Sequence, residues 1–377
     1  MLMCFQTEIY AIQTVLLRSR QSFYERRILL LKTIHINTSN PYDVIISRGC
    51  LSDCGRYISE ITDSHKAAII TDDVVGKLYA DIVSSSLRSC GFEVGVFAFP
   101  NGESSKSLDT LSKLYNYLGG MQVSRSDILI ALGGGVVGDV TGLAAATFLR
   151  GMDFVQIPTT LLAQIDSSVG GKTAVNISSG KNLVGAFKQP TLVICDSNTL
   201  STLPEAELSC GMAEAIKYGM IRDTKLFELI ESHDISNVND IIDDIICSCI
   251  DIKRDVVERD EFDKGERFIL NFGHTLGHAV ECWHNYTDYT HGMGVAAGMC
   301  MITERFCAPE LADRLSRCID SYGLPTGTKA PIDELLPFCS VDKKRDHDSI
   351  SFIVCPEVGK AEIRRVSLDE FCRLMGE

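Results

Sequence analysis

Asp127-Ile-Leu-Ile-Ala-Leu132 runs directly into Gly133-Gly-Gly-Val-Val-Gly138-Asp139, and this junction decides the fold class. An unbroken apolar run that stops at a glycine turn predicts a strand buried on both faces. The small-residue stretch Thr141 to Thr147 predicts a helix packed closely behind it. Upstream, Ala67–Thr71 ends at Asp72-Asp73 and is followed by the helical period of Val74, Leu78, Ile82 and Val83, then by Phe92–Phe99 as another strand. Phe154–Ile157 and Thr191–Cys195 add two more. Alternation of this kind, beginning at Ile34, predicts a parallel sheet covered by helices on both faces.

After Pro204 the texture changes. Long amphipathic stretches at Glu205–Ile221, Lys225–Ser232, Val238–Arg259, Glu266–His284, Gly292–Ala308 and Glu310–Tyr322 predict helices, with strand signal returning only at Ser351–Val354 and Ala361–Arg364. The expected organisation is an α/β N-terminal domain with a Rossmann-like parallel sheet over 33–203, followed by a mostly α-helical C-terminal domain over 204–377. The cleft between the two is the expected ligand site. Residues 1–32 read as an extension without an assigned role: Arg18, Arg20, Arg26 and Arg27 are interleaved with apolar residues, but Glu8 and Glu25 make a transit peptide a weak reading. No repeat or low-complexity linker is evident, so the domains should pack against each other.

The chain has 377 residues, a hydrophobic fraction of 45% and a charged fraction of 23%, proportions that suit a globular protein rather than a disordered or fibrous one. No apolar run reaches the roughly 18 residues of a membrane span. A formal net charge of −14 excludes a general nucleic-acid surface, although a local basic pocket for a small anion stays open. The 15 cysteines include no Cys-x-x-Cys pair and read as reduced thiols packed as small hydrophobes, which predicts a cytoplasmic protein.

Three segments before Pro204 have ligand chemistry. Gly133-x-Gly135-x-x-Gly138, between a strand and a helix, has the form of a loop whose backbone amides approach a pyrophosphate; a plain tight turn is the alternative, favoured by its position about 100 residues into the domain. Pro100-Asn-Gly-Glu103-Ser-Ser-Lys106 follows a strand, where Glu103 could take ribose hydroxyls and Lys106 a phosphate, or where a solvated turn could sit. The run from Pro158 through Asp166 and Lys172 to Asn176, then Gly180-Lys181-Asn182, is dense in hydroxyls, glycines and lysines, which suits an anionic, polyhydroxylated ligand.

In the helical half, Asn271-Phe-Gly-His274-Thr-Leu-Gly-His278, His284 and His291 place four of the eight histidines within eighteen residues. His274 and His278 share a helical face, as two metal ligands or a ligand and a proton shuttle would; satisfied or surface histidines are the alternative. Glu214 and Lys217 lie three apart, for which a surface ion pair is the simplest reading. Lys253 and Arg267 could add positive charge, and Asp342-Lys343-Lys344-Arg345 is a basic patch that reads most simply as a solvated loop.

Taken together, the segments GGGVVGDVTGLAAATFLRG, IPTTLLAQIDSSVGGKTAVN, GKNLVGAFKQP, GMAEAIKYG and LNFGHTLGHAVE resemble the 3-dehydroquinate synthases, from about Ile34 to the C-terminus. The resemblance implies NAD, one divalent metal (zinc or cobalt) and a homodimer. It places the metal on Glu214, His274 and His291. It places NAD contacts on Asp72, on Asn101, Gly102, Glu103, Ser104, Ser105 and Lys106, and on Gly135, Val136, Val137, Gly138 and Asp139. Thr159, Thr160, Lys172, Lys181, Thr199, Leu200, Ser201 and Thr202 complete that set. Substrate contacts fall on Arg150, Asp166, Lys172, Asn182, Lys217, Lys253, Arg267, Asn271, His278 and Lys344 (or Lys343). One departure is visible: the family usually has Glu after His-Gly, where this chain has His291-Gly292-Met293, which predicts altered hydrogen bonding around His291.

The reaction implied converts 3-deoxy-D-arabino-heptulosonate 7-phosphate (DAHP) to 3-dehydroquinate and phosphate, with transient oxidation, β-elimination, re-reduction and aldol closure. Another sugar-phosphate cyclase, making an inosose or a valiolone, is the nearest rival. A glycerol-dehydrogenase-like oxidoreductase and a catalytically silent binding module are more distant ones.

Overall fold

The computed structural model describes residues 31–285, 288–339 and 349–376. In chain order the strands of the first half are β1 (Lys32–Ile36), β2 (Tyr42–Ile46), β3 (Lys66–Asp72), β4 (Glu93–Phe99), β5 (Ile128–Gly133), β6 (Asp153–Pro158), β7 (Lys172–Ile177), β8 (Gly180–Phe187) and β9 (Leu192–Cys195). Seven of them form one sheet in the order β1-β2-β9-β6-β5-β3-β4, while β7 and β8 form a separate hairpin. Only the β1–β2 pairing in the main sheet is antiparallel.

Every residue of β5 is buried, and its side chains divide between two cores because successive residues face opposite ways. Ile128, Ile130 and Leu132 pack with α1 (Cys54–Ser59) and α2 (Val75–Ser89) through Ile58, Val83 and Leu87. Leu129 and Ala131 pack with α3 (Leu108–Gly120) and α4 (Gly135–Thr147) through Leu111, Leu114, Val140 and Leu143. The expected apolar period on α2 is only partly used: Val83 is buried, but Val74, Leu78 and Ile82 are 50%, 45% and 43% exposed. The helix meets the sheet through Ala80, Val83, Ser84 and Leu87 instead, where small residues permit close approach.

Strand order also explains why a glycine loop so far along the chain can bind a ligand. From β3 the chain moves outward to β4, whereas from β5 it moves the other way to β6 and then β9. The crevice at the carboxyl ends of β3 and β5 is therefore a topological switch point, where open α/β sheets bind ligands. Gly133–Gly138 follows β5 there, and Asp72 ends β3.

From Glu205 to Cys339 every element described is helical: α5 (Glu205–Arg222), α6 (Thr224–Glu231), α7 (Ile242–Arg259), α8 (His274–Trp283), α9 (His291–Phe306), α10 (Pro309–Ser321) and α11 (Ile332–Cys339), with short 3-10 turns between some of them. A hairpin of β10 (Ser349–Glu357) and β11 (Lys360–Ser367) and a last helix, α12 (Leu368–Gly376), follow. The expected continuous helix over Glu266–His284 is broken. A 3-10 segment covers Glu266–Asn271, and α8 restarts after Gly273, whose φ of 79° favours glycine. One hydrophobic cluster joins Ile34, Val44 and Val193 of the sheet to Met212, Ile216 and Ile250 of the helices, so the two halves share a core. Among the described residues no helix is long and apolar enough to cross a membrane. Residues 1–30 of the expected extension and the Asp342–Arg345 patch, with Lys343 and Lys344, lie outside the described residues.

The start of β5 is clamped by Asp127. Its Oδ2 accepts from the Ser124 backbone N–H and hydroxyl, both at 2.7 Å, and its Oδ1 accepts from the Lys66 N–H at 3.1 Å, tying β5 to the start of β3. Burial alone would raise this carboxyl, but the donors outweigh it and hold the pKa below the ordinary value. Asp127→Ala is therefore expected to cost about 2 kcal/mol at pH 7, read from denaturant midpoints. Because the folded pKa is depressed, this stabilisation is present above the unfolded carboxyl value and is lost as pH falls. The difference between wild type and variant should thus shrink below about pH 4.

Candidate active site

Glycines bring α8 and α9 close enough to share a site. A Cβ on Gly277 would stand 2.8 Å from the backbone carbon of Gly294, and one on Gly273 would stand 2.6 Å from the Val295 carbonyl. A Cβ on Gly298 would fall well inside contact distance of the Gly273 carbonyl. At the start of α9, Gly292 lies equally close to the Cys210 backbone of α5, and its N–H points at the Cys210 sulfur at 3.1 Å. The first residues of α8 and α9 are thereby gathered around one point on α5.

That point is Glu214. Its side chain is wholly buried, which overturns the surface-pair reading of Glu214 and Lys217. No hydrogen bond reaches its Oε1 among the described residues, yet His274 Nε2 and His291 Nε2 both stand 3.4 Å from that atom. Tetrahedral ligand atoms about 2.1 Å from a zinc ion are themselves about 3.4 Å apart, so the spacing fits a divalent metal. Each imidazole has its other nitrogen engaged: His274 Nδ1 with the Phe272 carbonyl at 3.1 Å, and His291 Nδ1 with Glu281 Oε1 at 2.9 Å. Both acceptors call for a proton on Nδ1 and leave Nε2 available as a ligand atom.

The two imidazoles differ electrostatically, and His291 offers Nε2 to a metal only where the metal takes the place of the proton that its carboxylates favour. Burial pushes His274 down to about 3, which keeps its Nε2 lone pair free. Burial opposes protonation of His291 too, but Glu214 and Glu281 on either side outweigh it and raise that group to about 10. Two carboxylates around one imidazole thus make a site that is short of positive charge. His278 completes the ring cluster, with centroids 5.4 Å from His274 and 5.9 Å from His291.

A buried network of charges extends from the same carboxylate. Lys217 contacts Glu214 Oε2, and Lys253 Nζ donates to Asp166 Oδ1 at 2.5 Å and to the Asp166 carbonyl at 2.6 Å. Tyr218 donates its hydroxyl to Asp166 Oδ1 at 2.6 Å. Burial would raise Asp166, but Lys253 and Lys217 outweigh it and hold it well below the carboxylate range. Burial lowers Lys253 to about 8, against the pull of Asp166. Arg267 is also buried, with Nη1 donating to the carbonyls of Gly170 (3.1 Å) and Glu261 (2.7 Å). Asn271 ends the 3-10 turn just before the break that starts α8.

The sheet edge carries the other expected residues. Among the described residues no side chain caps the N-terminus of α4, which leaves the amides of Gly135, Val136 and Val137 at the switch point, as a pyrophosphate needs. Thr159 Oγ1, just after β6, is buried with no hydrogen-bond partner among the described residues, while Thr160 Oγ1 accepts from the Ala163 N–H. Lys106 binds Asp139 and donates to Asn182 Oδ1 at 2.5 Å; burial, partly offset by Lys106, raises Asp139 to about 6. Glu103 accepts from Asn176 at 2.7 Å, in the 3-10 turn that includes Ser104 and Ser105, and Gly102 precedes it at φ 110°. The Asn101 N–H is held by Asp73. Thr199, Leu200, Ser201 and Thr202 form a 3-10 turn after β9, in which Tyr79 reaches the Thr202 hydroxyl at 2.6 Å.

Several assignments meet structural demands that spacing could not show. Asp72 Oδ1 is occupied by the N–H groups of Val74 and Val75 at 2.9 Å, which starts α2. Lys172 is paired with Asp263 at 2.6 Å, and Lys181 stands 3.8 Å from Glu281. Arg150 is not brought to the site. It follows the C-terminal end of α4, beside Arg125, which precedes β5 and donates to the Leu149 carbonyl, so it lies at the amino edge of the sheet. Tyr218, Asn176, Asp263 and Glu281 were given no role from sequence. Tyr218 was detectable four residues after Glu214, and Glu281 seven after His274 on the same helical face.

Gly298→Ala should destabilise the fold by about 1–3 kcal/mol through overpacking at the helix crossing. It should also reduce metal retention by the folded fraction, measured by metal analysis after gel filtration; an unchanged midpoint and full metal content would contradict the crossing argument.

Residues 96–210 match the 3-dehydroquinate synthase N-terminal family, and residues 211–345 match the 3-dehydroquinate synthase C-terminal family. A 3-dehydroquinate synthase of Streptococcus suis (strain 05ZYH33) is 44% identical over 351 residues, covering 90% of this chain and 98% of the relative. Among solved structures, a 2-deoxy-scyllo-inosose synthase complexed with carbaglucose-6-phosphate, NAD+ and Co2+ matches with a TM-score of 0.82 at 26% identity, covering 91% of this chain and 99% of that one. ValA, a 2-epi-5-epi-valiolone synthase from Streptomyces hygroscopicus subsp. jinggangensis 5008 with NAD+ and Zn2+ bound, shares the fold with a TM-score of 0.80 at 22% identity, covering 91% and 98%. With both family halves matched in order and a relative this similar along nearly its whole length, the chain belongs to the 3-dehydroquinate synthase family.

Proposed function

We infer that the chain converts DAHP to 3-dehydroquinate and phosphate, a step of the shikimate pathway to aromatic amino acids. The observation that carries this reading is the convergence of Glu214, His274 and His291 beside the Lys217–Glu214 and Lys253–Asp166 ion pairs, whose lysines are buried. The inosose and valiolone cyclases share the fold at 26% and 22% identity, against 44% to the dehydroquinate-forming relative, which favours DAHP over their substrates. In class the enzyme is a carbon–oxygen lyase acting on a phosphate, and we place it in the cytoplasm on the family's biosynthetic role.

Bound NAD supplies a transient oxidation and its reversal at the ring alcohol, and zinc or cobalt supplies Lewis-acid polarisation of that oxygen. Glu214, His274 and His291 hold the metal, and the α4 amides with the turns after β4, β6 and β9 hold the dinucleotide. Lys217 and Lys253 place positive charge where the substrate's oxygens collect, and Asp166, fixed by Tyr218, keeps Lys253 from swinging away. Arg267 and Asn271 are assigned the substrate carboxylate, and Lys172 and Asn182 the phosphate side, with Lys344 closing it. Phosphate departs by β-elimination, for which the substrate's own phosphate oxygen is a sufficient base, so the chain contributes orientation and charge more than a strong base. His278 is positioned against both ligand imidazoles to relay a proton. A homodimer belongs to the same proposal; Arg150 could meet a substrate only from a second copy.

The test is to incubate the protein with DAHP, catalytic NAD and zinc. Phosphate and dehydroquinate should appear in equal amounts with no accumulation of NADH. Phosphate without a carbocycle, NADH in stoichiometric yield, or turnover of a hexose phosphate in place of DAHP would overturn the reading. His274→Ala should stay folded by circular dichroism but lose metal and turnover; wild-type rates in that variant would remove His274 from the site.

A further inference from the structure

We propose that Glu281 is the positioning residue of the metal centre, its carboxylate fixing the His291 ring so that Nε2 faces Glu214. The inference rests on the metal reading given above. His274, His278 and Glu281 fall at i, i+4 and i+7 of α8, so the carboxylate shares the histidine face. Its side chain is 5% exposed, and Oε1 lies 2.9 Å from His291 Nδ1, an ordinary length for a charge-assisted hydrogen bond. Oε2 is 3.8 Å from Lys181 Nζ on β8, so the same carboxylate links a metal ligand to the hairpin beside the cofactor edge. Gly294 leaves the space for it: a Cβ there would stand 3.0 Å from Glu281 Cγ and 3.2 Å from Oε1. Met293, two residues after His291, does not supply this partner, because it packs against the hydrophobic cluster.

His278, Glu281 and His291 also lie close enough to form a metal group of their own. Two features favour positioning over a second ion. The bond to Nδ1 occupies the atom through which His291 would bind that ion, and the Lys181 ammonium beside Oε2 repels a cation. A carboxylate on the far nitrogen of a ligand histidine fixes its tautomer and rotation and strengthens its donor nitrogen; losing one typically costs about 10- to 100-fold in metal affinity.

The experiment titrates Co2+ into the metal-stripped full chain and follows the visible d–d bands, for wild type, Glu281→Gln, Glu281→Ala and Met293→Glu. Wild type should bind one Co2+ per chain. Glu281→Ala should bind about 10- to 100-fold more weakly with shifted bands, Glu281→Gln should fall between, and Met293→Glu should stay within about threefold of wild type. The near-isosteric Gln variant preserves the test if the Ala variant does not fold. Wild-type affinity and bands in both Glu281 variants would overturn the proposal, as would two Co2+ per wild-type chain with one lost on substitution. A wild type that binds no Co2+ would instead overturn the metal reading and the inference with it.

Discussion

The site depends on how closely three helices can approach. Side chains normally hold helix axes about 8–10 Å apart, and glycines at a crossing remove that spacer. Gly273 and Gly277 on one side and Gly294 and Gly298 on the other let α8 and α9 meet backbone to backbone, while Gly292 does the same against α5. His274 and His291 stand at the starts of their helices, so the crossing brings their rings to a centroid distance of 5.3 Å over a carboxylate on the third helix. Rigid elements, not loops, thus set the 3.4 Å spacings around Glu214 Oε1.

Charge is then concentrated where it is expensive. Glu214, Lys217 and Lys253 are each at most 5% exposed, and buried ion pairs of this kind commonly fail to repay their desolvation. A hydrophobic core of the same volume would serve stability as well, so their presence is better explained by a ligand that needs both signs of charge at once. The sheet answers from the other side: the switch point between β3 and β5 opens the α4 amides toward the same region, and the shared core holds the two halves in register.

The parts legible in sequence were those governed by local pattern. DILIAL and its glycine turn, the α/β alternation and the change to helices at Glu205 all depend on periodicity that neighbours in the chain enforce. The β7–β8 hairpin escaped because the alternation in β7 is short, with only Thr173 and Val175 buried, and β8 is exposed along most of its length and has no buried face to mark it. The break at Gly273 escaped because an amphipathic pattern continues across it, while the demand for glycine comes from Val295 and Met299 on another helix. Spacing alone paired His274 with His278, whereas the nearer ligand geometry pairs His274 with His291 and Glu214, contacts made only in three dimensions. Arg150, carried over by motif, lies at the amino edge of its own sheet, and a local motif does not say whether a side chain serves its own chain or a second copy.

The most direct measurement is anomalous diffraction at the cobalt edge from crystals of the cobalt-loaded protein. The account predicts a single peak bonded to Glu214, His274 Nε2 and His291 Nε2. A peak among His278, Glu281 and His291, or none near Glu214, would contradict it.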